Sequence, residues 1–118
     1  MATAGVYNFT IDQDSTYTVT LVYNDGNGNP IDLTGYEAKM QLREKYDSPT
    51  AALTLTTGGG GIVITGPTGT IDITATDEQT ATLDPIFYVY DLDLKLGGVI
   101  TRLIQGQVTV RPRVTIYA

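Results

Sequence analysis

The sequence predicts an all-β fold of about eight short strands, with at most one short helical turn. Apolar and polar residues alternate with a period of two, most clearly in residues 36–43 and 86–96, which is the pattern of half-buried strands. Glycine, proline, asparagine and aspartate interrupt the alternation at regular intervals, as turns between short strands do. A chain of 118 residues can bury one continuous core, so we expect a single domain, 1–118.

Short strands at this spacing are typical of an antiparallel β-sandwich of immunoglobulin-like type, with a small barrel as the alternative. The chain contains no cysteine and no tryptophan, so it lacks the cysteine and tryptophan signature of true immunoglobulins. The prediction therefore concerns the architecture alone.

A long loop, residues 24–36, divides the first half of the chain. Strands are predicted on both sides of it, at residues 6–11, 17–23 and 36–43. Pro30 lacks a backbone donor and prevents the second strand from continuing. Apolar and polar residues alternate after it. We expect Ile31 and Leu33 to close the core, and Asp32 and Thr34 to face water.

Five further strands are predicted in the second half, at residues 52–56, 62–64, 69–73, 86–96 and 99–110. The glycine run 58–61 is interpreted as a hairpin loop, because ordering four glycines in a regular element is entropically costly. The one helical candidate is 76–83, where Thr76 is followed three residues later by glutamine, the spacing of a capping box. The alternation of the last strand breaks between Leu103 and Ile104, which predicts a β-bulge.

Composition and charge exclude several classes of function. The absence of histidine and cysteine removes the usual zinc ligands, the commonest general base and the thiol nucleophile. A net charge of −6 disfavours nucleic acid as a partner, since such binding needs clustered lysine and arginine. No apolar run reaches the ~18 residues of a membrane span. We expect a protein that is not an enzyme, with no catalytic, cofactor-binding or metal-binding residues, no cofactor and no membrane partner.

The N-terminus also lacks the basic and apolar regions of a signal peptide. We therefore expect the protein to be made in a cytoplasm.

Two glycine-containing segments invite a ligand-binding interpretation. Residues 25–29 begin like a calcium loop, but Pro30 stands where that loop needs glycine and Tyr36 where it needs glutamate. A plain turn is the preferred interpretation. The glycine run 58–61 is not followed by the lysine and serine or threonine of a phosphate loop, so we interpret it as a flexible hairpin.

Charged and aromatic residues of the predicted strands are expected to have structural roles. Asp91 and Asp93 share one strand face, where paired carboxylates can hold a metal, but Lys95 continues that face and no third ligand is visible. A solvated sheet face is therefore predicted. Five tyrosines at alternating positions are expected to belong to the core rather than to a sugar-binding platform: Tyr17, Tyr23, Tyr36, Tyr88 and Tyr90.

The last strand is expected to end at residues 111–113. Arg111 and Arg113 form a close basic pair, and they either bridge to an acidic neighbour in an assembly or remain solvated. Residues 114–117 have the composition of a strand, which we expect to be able to pair with a partner chain.

Several segments together resemble a family of small structural domains of tailed bacteriophages. They are residues 9–13, the strand ending at Tyr23, and residues 29–36, 91–94 and 101–110. The pattern is similar to the N-terminal immunoglobulin-like domain of phage baseplate upper proteins and to short stand-alone virion proteins of the same build. In that group a segment like 28–36 precedes a strand, and one like 106–110 closes the domain.

The resemblance implies a non-enzymatic structural component of a tailed-phage virion, an adaptor or decoration of the tail, baseplate or neck. It would dock on other virion proteins in multiple copies within a symmetric assembly. Its localisation would be the virion, after synthesis in the bacterial host cytoplasm. We also expect the chain to end with this domain, without the further modules of the baseplate upper proteins.

Three alternatives remain at the level of the sequence. The first is a capsid decoration (cement) protein of the same fold, and the second is a carbohydrate-binding β-sandwich used in host adsorption. The third is a small hydrolase, which would need converging carboxylates because the chain has no histidine.

Overall fold

The computed structural model describes residues 5–115, which form nine strands, one short helix and one 3₁₀ turn, Gly66–Thr68. The strands are β1 (Gly5–Val6), β2 (Phe9–Asp12), β3 (Tyr17–Val22), β4 (Glu37–Arg43), β5 (Leu53–Thr56), β6 (Ile62–Thr65), β7 (Thr70–Ala75), β8 (Phe87–Leu96) and β9 (Val99–Arg111). The helix is α1 (Asp77–Ala81). No helix within residues 5–115 is long and apolar enough to cross a membrane.

The strands form two sheets that pack face to face. One sheet has the order β1-β9-β8-β4-β5, with β2 also pairing with β9, and the other has the order β3-β7-β6. One cluster of buried residues from both sheets fills the space between them. The predicted fold class, an immunoglobulin-like β-sandwich, is confirmed. All pairs are antiparallel except β1 and β2, which run parallel to β9.

Alternation decides which side chains of the long strands enter the core. The buried residues of β4 and β8 are Ala38, Met40, Leu42, Tyr88, Tyr90, Leu92 and Leu94, as predicted. Leu96 shares their parity but is 42% exposed, because it lies at the tip of the β8–β9 hairpin, where it pairs with Val99. Inward orientation alone therefore does not guarantee burial at the end of a strand.

The predicted first strand, residues 6–11, is divided into β1 and β2, so the prediction of one continuous strand is wrong. The break coincides with Gly106 on β9, where an added Cβ would lie 2.4 Å from the backbone oxygen of Tyr7. Next to it, the Asn8 side-chain oxygen accepts a hydrogen bond of 2.9 Å from the Gln107 backbone. At this point the Asn8 side chain, rather than a backbone carbonyl, accepts the hydrogen bond from β9.

The interpretation of residues 58–61 as a hairpin loop is also wrong. β5 pairs with β4 in the larger sheet, whereas β6 pairs with β7 in the smaller one, so the glycines carry the chain from one sheet to the other. Thr56 and Gly60 nevertheless exchange two backbone hydrogen bonds of 3.0 Å. The local turn is that of a hairpin, but the strands that it joins are not partners.

The helix and the bulge lie where the sequence predicts them. Thr76 and Gln79 form the reciprocal hydrogen bonds of a capping box at the start of α1. The register of the β8–β9 pair shifts where Leu92 faces Ile104 and Asp93 faces Arg102, so Leu103 is the extra residue of a β-bulge.

Candidate functional site

The outward side of the larger sheet, which we call the polar face, carries charged and polar side chains at alternate positions of three neighbouring strands. Its central residues are Lys39, Gln41, Arg43, Asp91, Asp93, Arg102 and Gln105. Two adjoining grooves open on it, of about 490 Å³ and about 420 Å³, and Asp93 lines both. The polar face is therefore a concave surface lined by charged and polar side chains.

The two aspartates of the polar face have different surroundings. Asp91 forms an ion pair of 3.2 Å with Arg102. Asp93 faces Lys39 on one side and Arg102 on the other in the strand register, yet its Oδ1 atom is buried and has no hydrogen-bond partner among residues 5–115. Burial, and to a smaller degree the charge of Asp91, raises the pKa of Asp93 above its ordinary 3.8, while Arg102 opposes the shift.

The Asp93 oxygen that has no partner within the described range suits contact with a polar or cationic group. No cluster of three acidic residues that would hold a metal occurs within residues 5–115. Asp91 pairs with Arg102 through Oδ2, whereas Oδ1 of Asp93 is a buried acceptor atom without a partner among residues 5–115. The predicted solvated sheet face is thus more structured than expected, with one half-buried carboxylate at its centre.

Replacing Asp93 with asparagine is expected to raise the free energy of unfolding at pH 7 by up to about 1 kcal/mol, because a neutral amide loses less on burial than a carboxylate. The pKa of Asp93 is raised in the folded state, so only the ionised carboxylate destabilises the fold. The destabilisation is absent when Asp93 is protonated, and it develops as the pH rises through the folded-state pKa. The gain should therefore vanish below about pH 3.5.

Urea unfolding at several pH values measures this difference. Asp91→Asn is the matched control: it removes a partly exposed ion pair worth about 0–1 kcal/mol and the smaller of the two contributions that raise the pKa of Asp93, but it leaves the buried carboxylate in place. A gain for Asp93→Asn that did not change with pH would contradict the charge-based explanation.

The loop of residues 24–36 uses its acidic side chains to fold itself. Asp25 Oδ1 accepts hydrogen bonds from the backbone N–H groups of Asn27 and Asn29, at 2.8 and 3.0 Å, which are the contacts of an Asx turn. Asp32 caps Thr34 in the same way, and these hydrogen bonds lower the pKa of Asp32. The carboxylate that suggested a calcium loop is engaged by the turn.

The same loop closes one end of the core. Leu33 is 1% exposed and Ile31 is half-buried against the core, while Asp32 and Thr34 are exposed. The Leu33 N–H donates to the carbonyl of Gly66, which ties the loop to the 3₁₀ turn. This part of the prediction is confirmed.

The five tyrosines that were assigned to the core are buried or half-buried against it. Phe9 lies at the centre of an aromatic cluster, with its ring 4.9 Å from Tyr90 and 5.8 Å from Tyr17. The Tyr90 hydroxyl donates to the Tyr7 carbonyl, and burial raises the pKa of Tyr17 to about 12. These rings hold β2 against both sheets.

Both terminal arginines are paired within the chain, which neither of the two sequence-based alternatives anticipated. Arg111 donates to both oxygens of Asp12, at 2.6 and 3.1 Å, and Arg113 lies 3.8 Å from Asp14. Because Asp12 faces Arg111 in the parallel β2–β9 ladder, these pairs join the two ends of the described chain. The expected pairing of residues 114–117 falls partly on residues 116 and 117, which lie outside the described range.

Sequence reasoning missed three residues that line the polar face, Tyr46, Arg102 and Gln105. The bulge places both Arg102 and Gln105 on the outward side, opposite Asp93 and Asp91, although their spacing of three is not that of a regular strand. The break in alternation was therefore also the signal for this arrangement. Tyr46 follows β4 in a loop, is 85% exposed and lines the smaller groove, and no periodicity points to it.

Solved structures with a similar fold include a phage domain and the extracellular domain of a channel subunit. The N-terminal domain of ORF48 of phage TP901-1 has 13% sequence identity and a TM-score of 0.52, with 91% of this chain and 85% of that chain covered. The extracellular domain of the voltage-gated sodium channel beta4 subunit, whose parallel homodimers are described in connection with cell–cell adhesion, has 10% identity and a TM-score of 0.52, with 97% and 98% covered.

No protein-family model matches the sequence, and neither does any curated protein. At such low identity the likeness to the two structures shows the fold alone. Nearly the whole chain is an immunoglobulin-like β-sandwich.

Proposed function

We propose that this protein is a non-enzymatic structural component of a tailed-bacteriophage virion, which docks in repeated copies on other virion proteins. The observation that carries the proposal is the resemblance of its sequence segments to phage baseplate domains, together with a fold shared with the phage TP901-1 domain over 91% of the chain. Within that fold, residues 28–36 and 106–110 match the segments by which the sequence resembles phage baseplate domains. An adaptor of the tail, baseplate or neck is the role that this resemblance favours.

The surfaces of the molecule support a docking role. The polar face offers ion-pairing and hydrogen-bonding groups along two grooves, and Asp93 keeps a free acceptor atom there. At the tip of the β8–β9 hairpin, Val99 and Ile100 are 66% and 63% exposed. Exposed apolar side chains beside groups that can form hydrogen bonds are suited to protein–protein contact.

The test is the protein composition of purified phage particles. Mass spectrometry of particles from a phage that encodes this chain should detect it in several copies, and separated tails should retain it while capsids lose it. Retention by capsids alone would support the cement-protein alternative. Absence from purified particles, with the chain present in the infected lysate, would refute a virion role.

Carbohydrate binding is the second candidate, and Tyr46 is the observation that favours it. Its exposed ring lies in a groove with Gln41, Arg43 and Gln105, a combination of stacking and hydrogen-bonding groups that suits a sugar. A glycan array probed with the purified chain would show binding that Tyr46→Ala abolishes if this second function exists.

A further inference from the structure

The smaller sheet has an open edge at β3. In the immunoglobulin arrangement the corresponding sheet has four strands, and the first strand of the domain lies beside the second. Here the first two strands pair with β9 in the other sheet, so the sheet order begins at β3. The place beside β3 is therefore not taken by any strand of residues 5–115.

The backbone groups that point out of this edge follow from the ladder. The Tyr23 N–H donates to Gly69, toward β7, and the Thr74 N–H donates to Gly61, away from β3. Since bonding direction alternates along an antiparallel strand, the odd-numbered residues of β3 bond to β7. Thr18, Thr20 and Val22 consequently direct their N–H and C=O groups outward, in a row ready for another strand.

An apolar groove of about 130 Å³ adjoins this edge. It lies between β3 and the larger sheet and is lined by Tyr7, Leu21, Val22, Tyr23, Leu103 and Ile104, together with Ile71. Tyr7 and Val22 remain 46% and 54% exposed. A strand added to β3 would cover the groove with its inward side chains and satisfy the outward backbone groups at the same time.

The edge also lacks the features that normally prevent strand addition. β3 has the sequence Tyr-Thr-Val-Thr-Leu-Val, without charge, proline or glycine, and its pairing with β7 has no irregularity. Edge strands that remain unpaired in solution usually carry a lysine, a proline or a bulge. β3 therefore has the character of a strand that acquires a partner.

We propose that residues 114–118 of a second copy of this chain add to the β3 edge as an antiparallel strand. The segment reads Val-Thr-Ile-Tyr-Ala, uncharged and rich in strand-forming residues, so a chain of net charge −6 meets its copy without repulsion at the contact. With Thr20 opposite Tyr117, Ile116 lies beside Leu21 over the groove and Thr115 faces outward beside Val22.

The direction of the chain after β9 favours a second copy over the molecule's own tail. Arg113 is held near Gln13 and Asp14, at the end of the sandwich where β3 begins, and Val114 is 96% exposed. A tail that turned back from there along its own β3 would run parallel to it. The more stable antiparallel arrangement is open to a tail that arrives from another molecule.

Donation from one copy to the next is a heterologous contact, which produces rings or open chains of subunits. The inference concerns the isolated chain and does not depend on its place in a virion. Light scattering after gel filtration should therefore show oligomers that dissociate on dilution to the mass of one chain, 12.7 kDa. A full-length chain that stays at this mass over the whole dilution series would overturn the proposal. A chain whose tail pairs with its own β3 would give that result.

Two variants separate the donor from the acceptor. Deletion of residues 114–118 removes the donor, and Thr20→Pro removes an outward N–H of β3 at a position where an edge strand tolerates proline. Each variant alone should be monomeric, whereas their mixture should form a 1:1 complex through the one intact contact. Failure of the mixture to associate, with both variants folded by circular dichroism, would overturn the proposal.

Matched controls test the site and the register. Thr54→Pro places the same change on the other sheet, in the edge strand β5. The Thr57 N–H donates to Ala38, so alternation directs the N–H of Thr54 outward. This variant should leave association intact. Ile116→Asp should abolish association by placing a charge over the groove, and Thr115→Asp should preserve most of it. Association of Thr20→Pro equal to that of the parent chain would refute β3 as the acceptor.

Discussion

Replacing Leu33 with alanine is expected to lower the free energy of unfolding by about 3 kcal/mol, within the range of about 2–5 kcal/mol for buried leucines. Leu33 is 1% exposed and belongs to the core cluster. Its N–H donates to Gly66 and its carbonyl accepts from Tyr36, at 2.8 and 3.0 Å. Because the backbone is held on both sides, the loop cannot settle into the cavity, and most of the cost of the void remains.

Urea unfolding followed by circular dichroism measures this loss. Leu96→Ala is the matched control, since Leu96 is 42% exposed at a hairpin tip and its truncation should cost less than about 1 kcal/mol. Equal losses for the two variants would contradict the assignment of Leu33 to the core. They would also remove the basis for describing loop 24–36 as a closing element of the sandwich.

The elements predicted well from the sequence are those specified by nearby residues. Alternation in residues 36–43 identified the inward side of β4, and the spacing of Thr76 and Gln79 identified the start of α1. Loop 24–36 was interpreted correctly because Pro30 and the alternating residues after it act locally. Each of these signals depends on contacts between residues that are close in the sequence.

Pairing between strands was harder to predict because it depends on residues far apart in the chain. The glycine run 58–61 has the local geometry of a hairpin, but the partners of β5 and β6 are β4 and β7. Likewise, nothing within residues 6–11 shows that they run parallel to β9, about 100 residues later. The decisive feature is Gly106, which admits the Tyr7 carbonyl at close range.

The polar face shows the same difference between local signals and contacts of distant residues. The shared side of Asp91 and Asp93 was read from their spacing, but the ion pair with Arg102 requires the register across the bulge. The burial of one oxygen of Asp93 requires the positions of three strands at once. Sequence patterns thus identified the carboxylates of the candidate site, while Arg102, Gln105 and Tyr46 were assigned to it only by the tertiary structure.

Replacing Gly69 with alanine is expected to destabilise the fold by about 2–5 kcal/mol, from a left-handed backbone and a steric clash together. Gly69 has φ +63°, and a Cβ there would lie 2.6 Å from the Ile31 carbonyl and 2.7 Å from the Tyr23 carbonyl. Both atoms belong to backbone that is hydrogen-bonded in place, since the Tyr23 N–H donates to Gly69 and the Ile31 N–H donates to Tyr23. Relief of the clash therefore requires movement of the loop away from β7.

Gly28→Ala separates the two contributions to this loss. Gly28 lies in the same loop with φ +82°, but an added Cβ would meet no atom within 4 Å, so only the backbone cost of about 1–2 kcal/mol applies. Urea unfolding of both variants should show the larger loss for Gly69→Ala. If the two losses were equal, the close approach of loop 24–36 to Gly69 would not be a tight contact in solution.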